Sequence, residues 1–360
     1  MSARRRWRVM GRRWRSTGRL AHRLGEAHVL RAIGDVQQFR EEREAALARY
    51  GQALALYREI GAKLGEAHVL RAIGDVQQFR KEVEAALASY GQALALYREI
   101  GDRLGEAHVR KAIGDVQQFR KEVEAALARY GQALALYREI GDRLGEANVL
   151  RAIGDVQQFR KEVEAALARY GQALALYREI GDRLGEANVL RAIGDVQQFR
   201  KEVEAALARY GQALALYREI GDRLGEANVL RAIGDVQQFR KEVEAALARY
   251  GQALALYRAI GAKLGEANVL AALSRLRIDD DPPESRRLLE QALALRRAIN
   301  DRYGEGANLG NYGIALIHRG RGAEALPFLE RARDLFASLG LTHVVEDMEQ
   351  RIAAAKGEGG

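Results

Sequence analysis

The feature that most constrains the fold of this chain is a 40-residue sequence that it repeats. The segment LGEANVLRAIGDVQQFRKEVEAALARYGQALALYREIGDR occupies residues 144–183 and recurs unchanged at residues 184–223, and close copies begin at Leu24, Leu64, Leu104 and Leu224. Repeats of about 20–50 residues are typical of arrays in which each unit contacts mainly its neighbours. The 360 residues are therefore expected to form one array and not several globular domains.

One repeat has the pattern of two amphipathic helices. Leu150 and Ile153 belong to a first apolar stripe at helical spacing, and Tyr170, Leu174 and Tyr177 belong to a second. No segment alternates with period two, so we expect an all-α fold without a sheet. The stripes predict helix A over about residues 146–159 and helix B over about residues 162–180.

Glycines and an aspartate mark the helix boundaries. Gly181 is suited to end helix B in the left-handed conformation, and Asp182 follows as an N-cap for the next helix. Gly154 and Gly171 lie inside helices, where each costs about 1 kcal/mol relative to Ala. We expect Gly154 to allow close approach to Ala166 in the same hairpin. Gly171 either serves the contact to the next unit or was copied with an ancestral sequence.

The repeat resembles the tetratricopeptide repeat. The matching positions are Leu150-x2-Ile153-Gly154-x2-Gln157, followed by Ala166-x3-Tyr170-x2-Ala173. The repeat departs from the family pattern because Leu150 stands for Trp, Gln157 stands for Tyr, the final Pro is missing and the period is 40 residues. The resemblance covers residues 24–341. It implies a right-handed superhelical solenoid of antiparallel helix hairpins, similar to the longer-helix repeats of bacterial regulatory proteins.

The sequence divides the chain into four parts. Residues 1–23 form a basic tail rich in Arg and Trp that we expect to be disordered, and residues 24–263 hold six nearly identical repeats. Residues 264–341 hold two diverged repeats, in which Pro282 and Pro283 are expected to open a helix. Residues 342–356 have one apolar stripe and predict a capping helix, which arrays need for solubility.

The charge of the chain lies almost entirely in the tail. Residues 1–23 contain nine Arg and no Asp or Glu, and the whole chain has a formal charge of +9. The tail therefore offers a second interpretation, in which it binds nucleic acid or an anionic surface. It can equally be a disordered arm, or the product of a start codon placed too early. Without Cys the chain has no disulfide or thiolate site, and no run of 18 apolar residues predicts a membrane span, so we expect a cytoplasmic protein.

The resemblance also implies a ligand-binding face. In the family, helix A lines the concave side of the superhelix, where ligand peptides lie. The polar positions of helix A that this assigns to ligand binding are His68, Arg71, Asp75, Gln78, Asn148, Arg151, Asp155, Gln158, Asn188, Arg191, Asp195, Gln198, Asn228, Arg231, Asp235 and Gln238. A solvated face in which Arg151 merely pairs with Asp155 is the competing interpretation, since such exposed pairs contribute little.

Catalysis and metal binding find no support in the sequence. His28, His68 and His108 lie on successive hairpins about 10 Å apart, too far for one zinc ion that needs ligands at about 2 Å. The repeated tyrosines are expected to be core residues. No nucleophile, base and acid stand together, and no cofactor motif is present. We therefore expect a non-catalytic scaffold that binds a protein or an extended peptide. Two further alternatives stay open. The chain can be a fragment of a larger signalling regulator, or it can self-associate at its N-terminal end, where the sequence shows no polar cap.

Overall fold

The computed structural model describes the backbone of residues 3–357 and the side chains of residues 20–357. Every regular element of this part of the chain is a helix, which confirms the all-α class. The helices are α1 (Ala3–Phe39), α2 (Arg43–Ile60), α3 (Lys63–Phe79), α4 (Val83–Ile100), α5 (Arg103–Phe119), α6 (Val123–Ile140), α7 (Arg143–Phe159), α8 (Val163–Ile180), α9 (Arg183–Phe199), α10 (Val203–Ile220), α11 (Arg223–Phe239), α12 (Val243–Ala259), α13 (Lys263–Leu276), α14 (Pro282–Ala298), α15 (Arg302–Ile317), α16 (Gly322–Ser338) and α17 (Thr342–Gly357).

Local capping sets the ends of these helices. Helix A of the reference repeat is α7, and it begins at Arg143, three residues earlier than predicted, because the Asp142 carboxylate accepts a hydrogen bond of 2.9 Å from the backbone N–H of Gly145. The predicted N-cap Asp182 accepts the same bond from Gly185 at 2.9 Å. The predicted helix end is also confirmed, since Gly181 follows α8 with φ of 74°.

The turn inside each hairpin uses a left-handed residue that is not glycine. Lys161 has φ of 62°, and the backbone N–H of Glu162 donates to the carbonyl of Gln157 at 2.9 Å. This is the hydrogen-bond pattern that usually places Gly at the left-handed position. The position of this turn was therefore predicted correctly. Its left-handed conformation was not, because a Lys does not indicate a positive φ.

The chain consists of two compact units, residues 1–181 with α1–α8 and residues 182–360 with α9–α17. Within the first unit, one apolar cluster joins Leu70 of α3, Tyr90 and Tyr97 of α4, and Ile113 of α5. The core therefore continues from one hairpin into the next helix, as the solenoid prediction requires.

The second unit ends in diverged hairpins and one extra helix. Pro282 and Pro283 open α14, and the Asp281 carboxylate accepts a hydrogen bond of 3.1 Å from the N–H of Glu284. Met348 and Ile352 of α17 are buried in a cluster with Phe336 of α16. Helix α17 thus covers the apolar side of the last hairpin.

The helical glycines differ in what surrounds them. A Cβ on Gly154 would lie 2.6 Å from the ring of Tyr170, so the glycine makes room for a buried aromatic ring, while the predicted approach to Ala166 stays a prediction. A Cβ on Gly171 would meet no atom within 4 Å, which does not support the first of its two alternatives, a contact to the next unit. Repeat duplication is the explanation that fits Gly171.

Two expectations concern the chain ends and the membrane. Helix α1 includes the backbone of residues 3–23, where the sequence predicted a disordered tail. The described side chains begin at Leu20, so the binding role of the tail stays a prediction. Across the described helices, none has the length and apolarity that a membrane crossing requires.

Candidate functional site

The predicted binding residues lie along one stripe of helix A in the close copies of the repeat. Leu144, Asn148, Arg151, Asp155 and Phe159 are spaced four, three, four and four residues apart, which places their side chains on one side of α7. We call this stripe and its copies in α1, α3, α5, α9 and α11 the helix-A face. It is polar in the middle and apolar at both ends.

Buried tyrosines of helix B contact the polar residues in the middle of the helix-A face through their hydroxyl groups. Tyr170 has no exposed surface, and its hydroxyl lies 2.8 Å from Asp155 Oδ1 and 2.8 Å from the side-chain amide of Gln158. A hydroxyl has one hydrogen, so it donates to the carboxylate while the amide can donate to the hydroxyl oxygen. The same arrangement recurs in Tyr50, Tyr90, Tyr130, Tyr210 and Tyr250. The core assignment of the tyrosines is confirmed.

A second tyrosine reaches the stripe at the Asn position. The hydroxyl of Tyr177 donates to Asn148 Oδ1 at 2.9 Å, and Tyr217 and Tyr257 do the same to Asn188 and Asn228. Where His replaces Asn, the ring of Tyr97 packs against His68 at a tilt with centroids 5.8 Å apart, and the Tyr97 hydroxyl has no hydrogen-bond partner. The His and Asn copies of the face therefore differ in chemistry.

The arginines of the stripe also adopt two arrangements. Arg151, Arg191 and Arg231 pair with the Asp of their own helix at 3.1, 2.7 and 2.8 Å. In the earlier copies Arg31 and Arg71 instead contact Nδ1 of His68 and His108 on the next hairpin, at 3.1 and 3.0 Å. The Arg–Asp pair of the competing interpretation is thus present in three copies, and an Arg–His contact is present in two.

Burial changes the acid–base properties of this face. Burial raises the pKa values of Asp75, Asp195 and Asp235, although the tyrosine hydroxyls and neighbouring arginines favour their charged forms. Burial also raises the pKa of Tyr97 to about 12. The carboxylates are therefore partly desolvated acceptors on a rigid support, and each has a fixed position in the repeat.

The pKa values of the histidines on this face are lowered. Burial, followed by the charges of Arg31 and Arg71, lowers the pKa of His68, and burial followed by Arg71 lowers the pKa of His108. A neutral ring can accept the Arg hydrogen bond at Nδ1, whereas a protonated ring cannot. Within residues 20–357 no group of three His, Asp or Glu is placed to hold a metal ion.

Exposed phenylalanines form one apolar edge of the helix-A face. Each is the last residue of its helix, and the exposed fractions of Phe79, Phe119 and Phe159 are 67%, 63% and 63%. Between consecutive phenylalanines of the first unit lie a cavity of about 370 Å³ at Phe39 and Phe79, and one of about 470 Å³ at Phe79 and Phe119. Asp35, Asp75 and Gln38 contribute to the walls of these cavities.

Leucines form the other apolar edge. Leu24 and Leu64 border a cavity of about 450 Å³ in the first unit, and Leu224 and Leu264 border one of about 430 Å³ in the second. His28 and Arg31 line the first cavity, and Asn228 and Arg231 line the second. Sequence reasoning missed both edges. The sequence did contain an indication of these edges. A Leu and a Phe lie at helical spacing before and after the polar positions, outside the apolar stripe that is buried.

A family model for the tetratricopeptide repeat matches five overlapping segments: 65–139, 105–179, 145–219, 185–259 and 225–298. Together they cover more than half of the chain. The chain belongs to the tetratricopeptide repeat family. A sequence comparison of this chain with curated proteins found no match.

Several solved structures have the same fold. A signal transduction ATPase with a tetratricopeptide repeat sensor from Pyrococcus horikoshii has a TM-score of 0.68 at 14% identity, covering 92% of this chain and 50% of that one. The apo quorum sensor NprR from B. thuringiensis has a TM-score of 0.66 at 13% identity, with coverage of 86% and 87%. The Rap conjugation gene regulator of plasmid pLS20, solved with the Phr* peptide, has a TM-score of 0.59 at 15% identity, with coverage of 91% and 97%. At these identities the likeness shows the fold.

Proposed function

We propose that this tetratricopeptide repeat protein is a non-catalytic scaffold that binds an extended peptide or protein segment along its helix-A face. The observation that carries the proposal is the repeated stripe itself, with hydrogen-bonding groups in the middle and exposed Leu and Phe at its ends. Exposed apolar side chains that recur in a row, bordered by polar groups, are typical of interaction surfaces.

The polar middle suits a peptide backbone. Carboxylate, amide and guanidinium groups supply both acceptors and donors, and the buried tyrosines hold them in place before a ligand arrives. Ligands bind more tightly to groups whose conformations are already fixed, because less entropy is lost on binding. A peptide with unpaired N–H and C=O groups can use these acceptors and donors in every repeat.

The spacing of the repeats suits an extended ligand. Packed helices lie about 8–10 Å apart, and an extended chain rises about 3.3–3.6 Å per residue. Every third residue of an extended peptide can therefore meet an equivalent cavity of the next hairpin. We propose that such a ligand carries apolar side chains at intervals of about three residues.

The fold relatives agree with this proposal, since the pLS20 regulator was solved with a peptide. A cytoplasmic location remains part of the proposal, as expected from the absence of Cys.

Peptide display on the whole chain tests the proposed function. We expect selected peptides to be enriched in apolar residues three positions apart, and to bind much more weakly when Phe79, Phe119 and Phe159 are all replaced by Ser. Removing a well-buried aromatic anchor from an interface commonly costs about 2 kcal/mol or more, or roughly thirtyfold in affinity.

The matched control replaces exposed apolar residues at the opposite end of the hairpins from the phenylalanines. Ile100, Ile140 and Ile180 end the B helices and have exposed fractions of 37%, 39% and 38%. Their replacement by Ser should leave binding unchanged. Equal losses in the two triple variants, or no enriched peptide at all, would contradict binding at the helix-A face.

A further inference from the structure

Two cavities in equivalent positions of the repeat have opposite charge. The cavity of about 470 Å³ in the first unit is lined by Gln38, Asp75, Asp115 and Phe119, among others. A cavity of about 420 Å³ in the second unit is lined by residues 200 positions later, namely Gln238, Arg275, Ala315 and Arg319. Five periods of 40 residues separate the two sets, so the second cavity has the architecture of the first with Arg275 in the place of an aspartate. We call it the Arg275 pocket.

The guanidinium of Arg275 lacks a partner where one is expected. Within the described part of the chain it makes no ion pair or hydrogen bond, although the residue is half-buried. The carboxylate nearest in the repeat pattern, Asp235, is already engaged, because Arg231 holds its Oδ2 at 2.8 Å and the Tyr250 hydroxyl holds its Oδ1 at 2.7 Å. Burial lowers the pKa of Arg275, although the charges of Tyr250 and Asp235 act in the opposite sense.

The remaining lining of the Arg275 pocket adds donors and no competing acid. Asn311 and His318 lie at the pocket with exposed side chains, and no Asp or Glu lines it. Arg319 also lines the pocket, but its charge is already paired with Asp279 at 2.6 Å, and its Nη1 donates to the carbonyl of Ala315 at 2.8 Å. Arg275 is therefore the charge of this pocket that has no direct ion pair, with Asp235 and Tyr250 acting on it only at longer range.

We infer that the Arg275 pocket binds an oxyanion, a carboxylate or a phosphate, through the Arg275 guanidinium with Asn311 and His318 as further donors. Arg is suited to this because its planar fork can donate two parallel hydrogen bonds to such a group. A half-buried charge without a direct ion pair is unfavourable, and a bound oxyanion that accepts its hydrogen bonds lowers that cost. The inference holds whether or not the helix-A face binds a peptide, since a free anion is sufficient.

The experiment measures binding of inorganic phosphate and of acetate to the whole chain by ligand-observed NMR at constant ionic strength. We expect at least one anion to bind saturably. Arg275→Gln should weaken that binding about tenfold or more, the usual effect of losing a charge-assisted hydrogen bond. Tighter binding of phosphate or of acetate identifies which oxyanion the pocket prefers.

Three variants make the result decisive. Arg240→Gln removes an exposed arginine that pairs with Glu204 and Glu242, and it should leave anion binding unchanged. Arg275→Asp restores the residue of the six close copies and should abolish anion binding. If Arg275→Gln proves unstable in a thermal melt, Arg275→Lys replaces it and should retain part of the binding. Anion binding that is absent, or that falls equally in Arg240→Gln and Arg275→Gln, would overturn the inference.

Discussion

At the residue scale, the central element is a buried tyrosine that performs two tasks. The ring of Tyr170 fills the space above Gly154, and its hydroxyl contacts Asp155 and Gln158 of the helix-A face. The helical glycine and the polar stripe are therefore linked, because both depend on the position of one ring. This explains why a residue that weakens a helix is kept in every one of the six close copies.

Replacing the two helical glycines by Ala should have opposite effects. Gly154→Ala places a Cβ 2.6 Å from a fully buried ring, so we expect a net loss of about 1–2 kcal/mol in the free energy of unfolding. Gly171→Ala meets open space and should gain about 1 kcal/mol from helix propensity. Urea denaturation of the two variants measures both changes. A gain in both variants would show that Tyr170 does not depend on Gly154.

The histidine copies should make stability depend on pH. Because the folded-state pKa values of His68 and His108 lie below the unfolded value of about 6.5, protons bind the unfolded chain more tightly. The contribution of the two neutral histidines to stability is fully present above pH about 6.5. It is lost as the pH falls from there through the lowered pKa values. Denaturation midpoints at pH 7 and pH 5 should differ less when His68→Asn and His108→Asn are combined. An unchanged difference would mean that these rings do not titrate as the structure indicates.

At the scale of the helical element, the turn between helices A and B carries avoidable strain. Lys161 is exposed and adopts φ of 62°, a conformation that costs an L-residue about 1 kcal/mol and costs Gly little. We expect Lys161→Gly to raise the free energy of unfolding by about 0.5–1 kcal/mol. As the matched control, Gly181→Ala at φ of 74° should lower it by a similar amount. A lower melting temperature for Lys161→Gly would show that the Lys side chain stabilises the turn.

The same elements show how far the sequence predicts the structure. Helix boundaries and caps followed from Gly181, Asp182 and Pro282, because such residues act through contacts within a few positions of themselves. The contact of Gly154 with the Tyr170 ring was not predicted, since the residues of helix B that meet this glycine depend on how the two helices rotate against each other. Repeat spacing does not determine that rotation.

The candidate site was predicted in the same uneven way. Its polar residues followed from the family resemblance, and they lie on one stripe as predicted, although their role in ligand binding stays a prediction. The exposure of Phe159 and the unpaired charge of Arg275 required side-chain packing around them. Both had a weak signal in the sequence, as an aromatic residue beyond the buried stripe and as a break in an otherwise constant Asp position.

At the scale of the whole molecule, near-identity of the repeats makes the proposed ligand contacts additive. Each copy of the helix-A face offers the same cavity, so a ligand with repeated apolar groups gains effective concentration at every further repeat. The diverged repeats after residue 264 differ, and Arg275 supplies a charge that the six copies lack.

Removing one repeat in register is the strongest test of the array. Residues 144–183 and 184–223 are identical, so deleting residues 144–183 joins Arg143 to Leu184 and restores the original sequence around the junction. Because each hairpin contacts mainly its neighbours, we expect a folded chain with a melting temperature within a few degrees of the full chain. The urea m-value should fall by about one eighth, since m scales with the surface exposed on unfolding. Deleting residues 154–183 instead removes 30 residues, breaks the period, and should unfold the hairpins around the junction. Unfolding of the in-register variant would show that the repeats are not interchangeable, and with that the additive contacts proposed for the helix-A face would lose their basis.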